Sequence, residues 1–347
     1  MVRIDVVRAA VALSAAFLAG LAAAADPASR CVALDNAGAQ RCTLPDGSRE
    51  EFRLDREGRR DGIARAFDPA GTLRSELTLE SGTPVGPQRL YDEAGRLQRL
   101  SFVTGSRVQV LLAFWPDGSL SELRCAPVSL LPQDREPCGH GGPARDVSLY
   151  KAPGKPGTTV RYRDGVLVWL AVLNEAGQRV RSEAFVQQPG QPDKRIKRVY
   201  YPGGALRSET ELIERPASAY EGREGVGREW AESGQLTQEV VWARGREQRV
   251  RQWYLNGQLK LDQRITRSGR HEERLTQSYW DNGKPAAVNR ERDGRLSGLQ
   301  RYFSEAGVKR REDQHGERGE LLRRKEFDER GRVTLDERFD GDPTRRS

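Results

Sequence analysis

Three histidines and four cysteines are the side chains of this chain best placed by type to do chemistry. His140 stands in Gly139-His-Gly-Gly142, which is faintly like an oxyanion-binding loop, yet no Gly-x-Ser-x-Gly elbow supplies a nucleophile. His271 and His315 have no motif around them, and neither a phosphate-binding P-loop nor a His-Glu-x-x-His pair is present. Carboxylates are so numerous that a pair of them carries no information. The chain therefore reads as non-enzymatic, without cofactor or metal. The cysteines lack Cys-x-x-Cys spacing, which argues against zinc. Four cysteines permit three pairings. The two local ones, Cys31–Cys42 and Cys125–Cys138, are expected because each closes one small loop in an oxidising compartment.

Aromatic residues offer a second kind of chemistry, that of recognition. They come in adjacent pairs: Phe114-Trp115, Tyr200-Tyr201, Trp253-Tyr254, Tyr279-Trp280 and Tyr302-Phe303. On a strand, neighbours point to opposite faces. One ring of each pair is then expected in a repeat-to-repeat stack. The other lies either on neighbouring arginine stems or on a binding face, where Tyr and Trp serve as anchors. Trp115, Tyr201, Trp230, Trp253, Tyr254, Tyr279 and Trp280 are the candidate contact residues.

These aromatics follow a beat. An aromatic precedes a glycine by four positions at Gly71, Gly95, Gly118, Gly204, Gly234, Gly257, Gly283, Gly307 and Gly331. From Gly204 onward the steps are 30, 23, 26, 24 and 24 residues. Self-similarity at such a period marks a repeat architecture. A second glycine series (Gly82, Gly105, Gly245, Gly269, Gly294, Gly319, Gly341) halves each repeat into two extended segments. Asp117-Gly118, Asn256-Gly257, Asn282-Gly283 and Asp293-Gly294 favour positive φ and tight hairpins. Leu73, Leu77 and Leu79 alternate with Arg74, Glu76 and Thr78, as on a half-buried strand. A helix is excluded by a glycine every twelve residues or so. The predicted fold is all-β: a single-layer antiparallel β-meander or solenoid of stacked hairpin repeats, most of them about 23–27 residues long.

Composition agrees with a thin structure. The 347 residues are 36% hydrophobic and 31% charged, and Met1 is the only methionine. Mean hydropathy is −0.73. The formal net charge is +8, and of 58 basic residues only eight are lysine. Basic residues are interleaved with acidic ones, and no nucleic-acid motif is present, which excludes nucleic acid as a partner. Charges at Arg74/Glu76, Arg207/Glu209 and Glu272/Glu273/Arg274 read as cross-strand ladders.

The boundaries expected from sequence are a signal peptide over 1–25, N-terminal hairpin repeats over 26–124, and a proline-rich, disulfide-tied insertion over 125–157. C-terminal repeats follow over 158–341, with a disordered tail over 342–347. Arg3 and Arg8 form the basic region of the signal, Ala9 to Leu21 its apolar region, and Ala23-Ala24-Ala25 the cleavage site. The competing reading is a membrane anchor, for which a run from Ala9 to Ala25 is marginal. A periplasmic or secreted protein without a transmembrane span after cleavage is expected. Leu54-Asp-Arg-Glu-Gly58 keeps the beat without the aromatic, as a capping repeat would. Val186 to Asp193 reads as an expanded turn.

Tyr200-Tyr-Pro-Gly-Gly-Ala-Leu-Arg-Ser-Glu209 and Trp253-Tyr-Leu-Asn-Gly-Gln-Leu-Lys-Leu-Asp262 resemble the MORN-repeat variant of the YwqK-type, antitoxin-like family. Gly294-Arg-Leu-Ser-Gly298 before Tyr302-Phe303, and Gly82-Thr-Pro-Val-Gly86 before Tyr91, resemble that family's linking turn. The resemblance covers most of residues 45–341. Pro285 and Lys309 depart from it where the family has an apolar residue, and several repeats carry Glu-x-Gly in place of Asn-Gly. The resemblance implies stacked hairpins in one layer and a role in scaffolding or in neutralising toxins. The expected function is non-enzymatic protein binding, with an immunity-type neutraliser of an envelope toxin as its narrower form. The alternative is an envelope structural factor whose arginines bind anionic phospholipid headgroups or cell-wall polymer.

Overall fold

The computed structural model describes residues 30–105, 107–187, 189, 193–213 and 222–339. The expected signal peptide and C-terminal tail, and most of the expanded turn before Asp193, lie outside the described residues. The chain divides into two compact units, one ending at Gly177 and the other starting at Gln178. That division comes later than the expected break at the proline-rich insertion.

In the first unit the strands are β1 (Arg30–Ala33), β2 (Ala39–Thr43), β3 (Arg49–Arg53), β4 (Gly62–Phe67), β5 (Leu73–Glu80) and β6 (Thr83–Tyr91). They continue with β7 (Leu97–Thr104), β8 (Arg107–Phe114), β9 (Leu120–Arg124), β10 (Val147–Ala152), β11 (Lys155–Arg163) and β12 (Val166–Leu173). Strands β1 to β9 form one nine-stranded sheet in sequence order, and β10 opens another. The second unit contains β13 (Arg179–Val186), β14 (Lys194–Tyr200), β15 (Leu206–Ile213), β16 (Gly222–Trp230), β17 (Leu236–Ala243), β18 (Arg246–Trp253) and β19 (Leu259–Ser268). After them come β20 (His271–Tyr279), β21 (Pro285–Arg292), β22 (Arg295–Leu296), β23 (Gly298–Phe303), β24 (Lys309–His315), β25 (Leu321–Phe327) and β26 (Val333–Arg338). Strands β22 and β23 lie in succession along β21 and both pair antiparallel with it, and the other strands of this unit pair antiparallel with their neighbours in sequence. The architecture is the all-β meander that the glycine beat predicts.

The two glycine series build chemically different turns. At the marker positions the glycine amide donates to the carbonyl three residues earlier, as from Gly257 to Tyr254 at 3.0 Å and from Gly283 to Trp280 at 2.9 Å. The glycine itself is left-handed (φ 85° at Gly257). This is a type I turn closed by a left-handed glycine, and the pairing register slips just before each marker aromatic, as between Gln252 and Trp253. At the other end of the strands, Ser81-Gly82, Asp164-Gly165, Arg244-Gly245 and Asp293-Gly294 have positive φ at both residues, the type I′ pattern. Asp117, Asn256 and Asn282 were expected to behave like Asp293. They instead precede the left-handed residue, because the one-residue bulge moves it onto the glycine alone. Gly319 belongs by its bond to Gly316 with the marker type.

The proline-rich segment is shorter than expected. Residues 125–146 are irregular apart from one 3₁₀ turn (Pro132–Asp134), but β10 begins at Val147, inside the expected insertion. The alternation of Val147 and Leu149 with Ser148 was hidden in sequence by Pro153 and Pro156, which sit in or beside a tight turn and do not break the strand. Both expected disulfides are present, Cys31–Cys42 directly across β1 and β2, and Cys125–Cys138 across the base of the irregular segment.

Burial is confined to thin rows. In the first sheet Ala64 faces Leu77, which faces Gln88, which faces Ser101, which faces Leu111, and all five are buried. Gln88 and Gln300 each stand two residues after a left-handed glycine, Gly86 or Gly298. Strand pairing is irregular there, and the glutamine amide supplies the missing bonds. Gln300 Nε2 donates to the carbonyls of Arg290 (3.0 Å) and Ser297 (2.9 Å), while its Oε1 accepts from the Arg290 amide (2.7 Å). Gly227 occupies the matching place after Gly225, where a Cβ would come within 2.3 Å of the Trp242 ring. One site fills the gap with an amide, the other with an indole.

Candidate partner-binding surface

In four of the five pairs the second aromatic (Trp115, Tyr201, Tyr254 or Trp280) opens a marker turn, and its polar tip is used further along the array; in Tyr302-Phe303 the second ring is the marker itself and Ser304 opens the turn. Tyr201 Oη donates to the Trp230 carbonyl at 2.9 Å, Tyr254 Oη to Tyr279 at 2.9 Å, and Trp280 Nε1 to Phe303 at 3.3 Å. Trp115 Nε1 donates to Tyr150 at 2.7 Å, carrying the same tie from the end of β8 to β10. Asn256 and Asn282 add side-chain bonds from one marker turn to the next, to the carbonyls of Asp281 (2.7 Å) and Glu305 (2.9 Å). Where aspartate takes the place of the turn-opening aromatic, as Asp68, Asp92 or Asp328, its carboxylate accepts from amides of its own turn instead. Those amides hold the Asp92 and Asp328 carboxyls below the usual carboxylate range.

All seven candidate contact residues are half-buried. Cations cover several of their rings: Arg207 lies over Tyr201, Arg251 over Trp253 and Lys260 over Tyr254. Arg223 likewise lies over the buried Trp242. The sequence left open whether the second ring packs on cationic stems or faces a partner. At Tyr201 and Tyr254 the second ring lies under a cation, Arg207 or Lys260, with its hydroxyl spent on the next repeat. Simple strand alternation missed this because the bulge and turn carry the second ring along the array.

Charge follows an equally regular pattern. One residue per strand lines up across the second unit as Arg198, Glu209, Arg228, Glu239, Arg251 and Asp262, each opposite the next. Arg198 donates to Glu209 at 2.7 Å, Arg228 to Glu239 at 2.9 Å, and Arg251 to the other oxygen of Glu239. Burial pushes the Glu239 carboxyl up, but hydrogen bonds and charge from Arg228 and Arg251 outweigh it and hold it below its ordinary value. Arg249 clasps Asp262 with two bonds and lowers that carboxyl too. In the first unit Arg41–Glu51 and Arg65–Glu76–Arg89 repeat the arrangement. Glu76 and Glu209 join the ladders as expected, whereas Arg207 stacks on Tyr201.

Residues 125–146 break this regularity. The side chain of Asp134 is fully buried and accepts from Ser129 Oγ at 2.6 Å and from the Leu130 and Leu131 amides at 3.0 and 3.3 Å. The loop docks on the β11–β12 hairpin tip, where Gly165 N donates to Cys138 O at 2.9 Å and Asp164 N to Gly139 O at 3.2 Å. The backbones are too close for side chains: a Cβ on Gly139 would lie 2.2 Å from Tyr162 O, and one on Gly165 1.6 Å from Ala126 O. Gly139 of the Gly-His-Gly-Gly sequence thus serves this packing. Outward, the loop shows Pro127, Val128 (61% exposed), Pro132 and Arg135. No apolar run announces this surface in the sequence; the cluster of prolines and the paired cysteines were its signals.

Among the described residues no group of three His, Cys, Asp or Glu side chains gathers as a metal site would require. No helix among them is long and apolar enough to cross a membrane. No protein family and no curated protein matches the chain. Among solved structures, a Tc holotoxin pore from Photorhabdus luminescens is 13% identical over 90% of this chain and 17% of that one, with TM-score 0.19. The TcdB2–TccC3 structure is 12% identical over 85% and 19%, with TM-score 0.16. A porin-like protein from Bacteroides uniformis is 8% identical over 76% and 92%, with TM-score 0.15. The chain spans less than a fifth of the two toxin-complex chains.

Proposed function

We propose that this is an exported, non-enzymatic repeat scaffold that binds another protein, and that the clamped loop 125–146 is its principal contact surface. One observation carries the proposal: a non-repeating loop is held rigid by a disulfide, a buried carboxylate and two glycine contacts, while its apolar tip points outward. Rigid display lowers the entropy lost on binding, and exposed loops on rigid scaffolds are where recognition concentrates. Many strand arginines, by contrast, are occupied by carboxylates or rings, as Arg198, Arg228, Arg249, Arg251 and Arg324 are, which weighs against capture of an anionic surface through the strand faces. Export rests on residues 1–25, and the two disulfides are compatible with it. The resemblance to the antitoxin-like family supports an immunity-type role as the narrower reading.

The test is capture from an envelope fraction by tagged protein at low and high salt, comparing the natural chain with Val128→Asp. A partner retained at high salt by the natural chain and lost by the variant is the expected result. Retention by both sinks the loop as the contact. Release by salt alone favours the anionic surface. For the immunity reading, co-expression with a toxin-like product encoded beside this chain should restore growth.

A further inference from the structure

The antiparallel meander of the second unit places its turns in two rows, at opposite ends of the strands. From the turn at Gly234 onward the marker row carries an acid at the second turn position, Glu232, Asp281, Glu305 and Glu329, interrupted by Leu255 (73% exposed); the turn before them has Pro202 there. Glu232, Asp281 and Glu305 are exposed, and no ion pair engages their carboxylates among the described residues; Glu329 is paired with Arg310. The opposite row carries arginine at its tips: Arg244 and Arg246, Arg270, Arg295 and Arg318. All five are exposed and free of ion pairs among the described residues. Arg244 even adopts a left-handed φ of 53° to occupy the tip, a conformation that residues other than Gly, Asn and Asp seldom take.

Charges of the other sign on each row are largely engaged. On the arginine row Asp293 holds His271 Nδ1 and the Glu272 amide, Glu224 accepts from the Arg244 amide and Glu320 from the Arg318 amide. Glu272 is shared by Arg267 and Arg274, leaving Glu247, Glu273 and Glu317. On the acidic row Arg332 is tied to Asp328 and Lys284 donates to the Ala306 carbonyl, leaving Arg330.

We propose that these rows are complementary faces of one self-association surface, the acidic turns of one copy seating against the arginine turns of a second. On either row successive turns are two strands apart, roughly 10 Å, so the two rows share one spacing and several pairs form in register. Such an interface is heterologous and leaves a free row on each outer copy, so it extends into chains of molecules and does not stop at a dimer. It is independent of the loop proposed above.

The test is sedimentation velocity at about 0.01 M and about 1 M salt, where the screening length falls from roughly 30 Å to roughly 3 Å. The natural chain should sediment beyond monomer at low salt and as monomer at high salt. The triple reversals Glu232→Lys/Asp281→Lys/Glu305→Lys and Arg246→Glu/Arg270→Glu/Arg295→Glu should each be monomeric at both. Mixing the two variants should restore association, since the first keeps its arginine row and the second its acidic row. Circular dichroism checks that each is folded; should one fail, the neutral set Glu232→Gln/Asp281→Asn/Glu305→Gln should still weaken association. A natural chain that stays monomeric at low salt, an association untouched by the reversals, or a mixture that stays monomeric overturns the proposal.

Discussion

The hydroxyl of Tyr254 donates to the main-chain oxygen of Tyr279 at 2.9 Å, so an aromatic that opens one turn is tied to the strand ending at the next. Removing only that oxygen by Tyr254→Phe keeps the ring under Lys260 and should cost about 0.5–1.5 kcal/mol. Chemical denaturation measures it. Tyr201→Phe should cost a similar amount, because its tie to Trp230 has the same form.

Gly227 and Trp242 fit together with no space between them. Gly227→Ala would drive a methyl into the indole, whose nearest atom is 2.3 Å from the Cβ position. Overpacking of this kind costs about 1–3 kcal/mol. The expected signs are a lower melting temperature and a shift of tryptophan emission toward that of exposed indole.

Gln300 satisfies strand groups that pairing leaves open, so Gln300→Leu should leave the Arg290 amide and the Arg290 and Ser297 carbonyls without their side-chain partner. The loss should be about 2–4 kcal/mol, since each buried unsatisfied group costs about 1–3 kcal/mol. Val288→Ala, on the partner strand, should be milder. Hydrogen exchange at Arg290 reads the same event locally.

Stability should fall on the acid side by two routes. Glu239 is held below its ordinary range in the fold, so its contribution is complete above the unfolded value, about 4.3, and is lost as pH drops through the folded value. His315 is also depressed, chiefly by burial, with Asp313 opposing and Arg324 adding to the effect. The unfolded chain therefore takes up that proton first, and stability declines as pH drops below about 6.5. Glu239→Gln should lose about 1–3 kcal/mol near neutral pH and His315→Gln should flatten the upper part of the curve. Urea midpoints between neutral and acid pH test both.

Reduction of Cys125–Cys138 should loosen the loop without melting the strands. The predicted outcome is faster exchange of the Gly165 amide, which now donates to Cys138 O, with far-ultraviolet dichroism unchanged. Loss of strand signal would place the disulfide in the fold's support instead.

Much of the architecture was legible because glycine and aromatic spacing records turns directly. The alternation at Leu73, Leu77 and Leu79 gave a buried face, and Ser75 completes it. The disulfides followed from local spacing. What could not be read was anything depending on a neighbour one repeat away. The reach of Tyr254 to Tyr279, the filling of space by Gln300 or Trp242, and the pairing of Arg251 with Glu239 are set by strand register. Register is fixed by a bulge that shifts every marker aromatic by one place. The docked loop was hidden for a related reason: Gly139 and Gly165 reveal their purpose only when the two backbones meet.

At one marker turn the slot is filled by Ala231, whose methyl can neither reach forward to the next strand end nor cap its own turn. Tyr201 ties the array up to Trp230, and Tyr254 resumes the ties beyond. In a linear array, stability is passed between nearest neighbours, so coupling is weaker between the Ala231 turn and the one that follows than across the ties of Tyr201, Tyr254 and Trp280. Under force or denaturant the second unit should part there first, leaving two blocks that unfold as separate events.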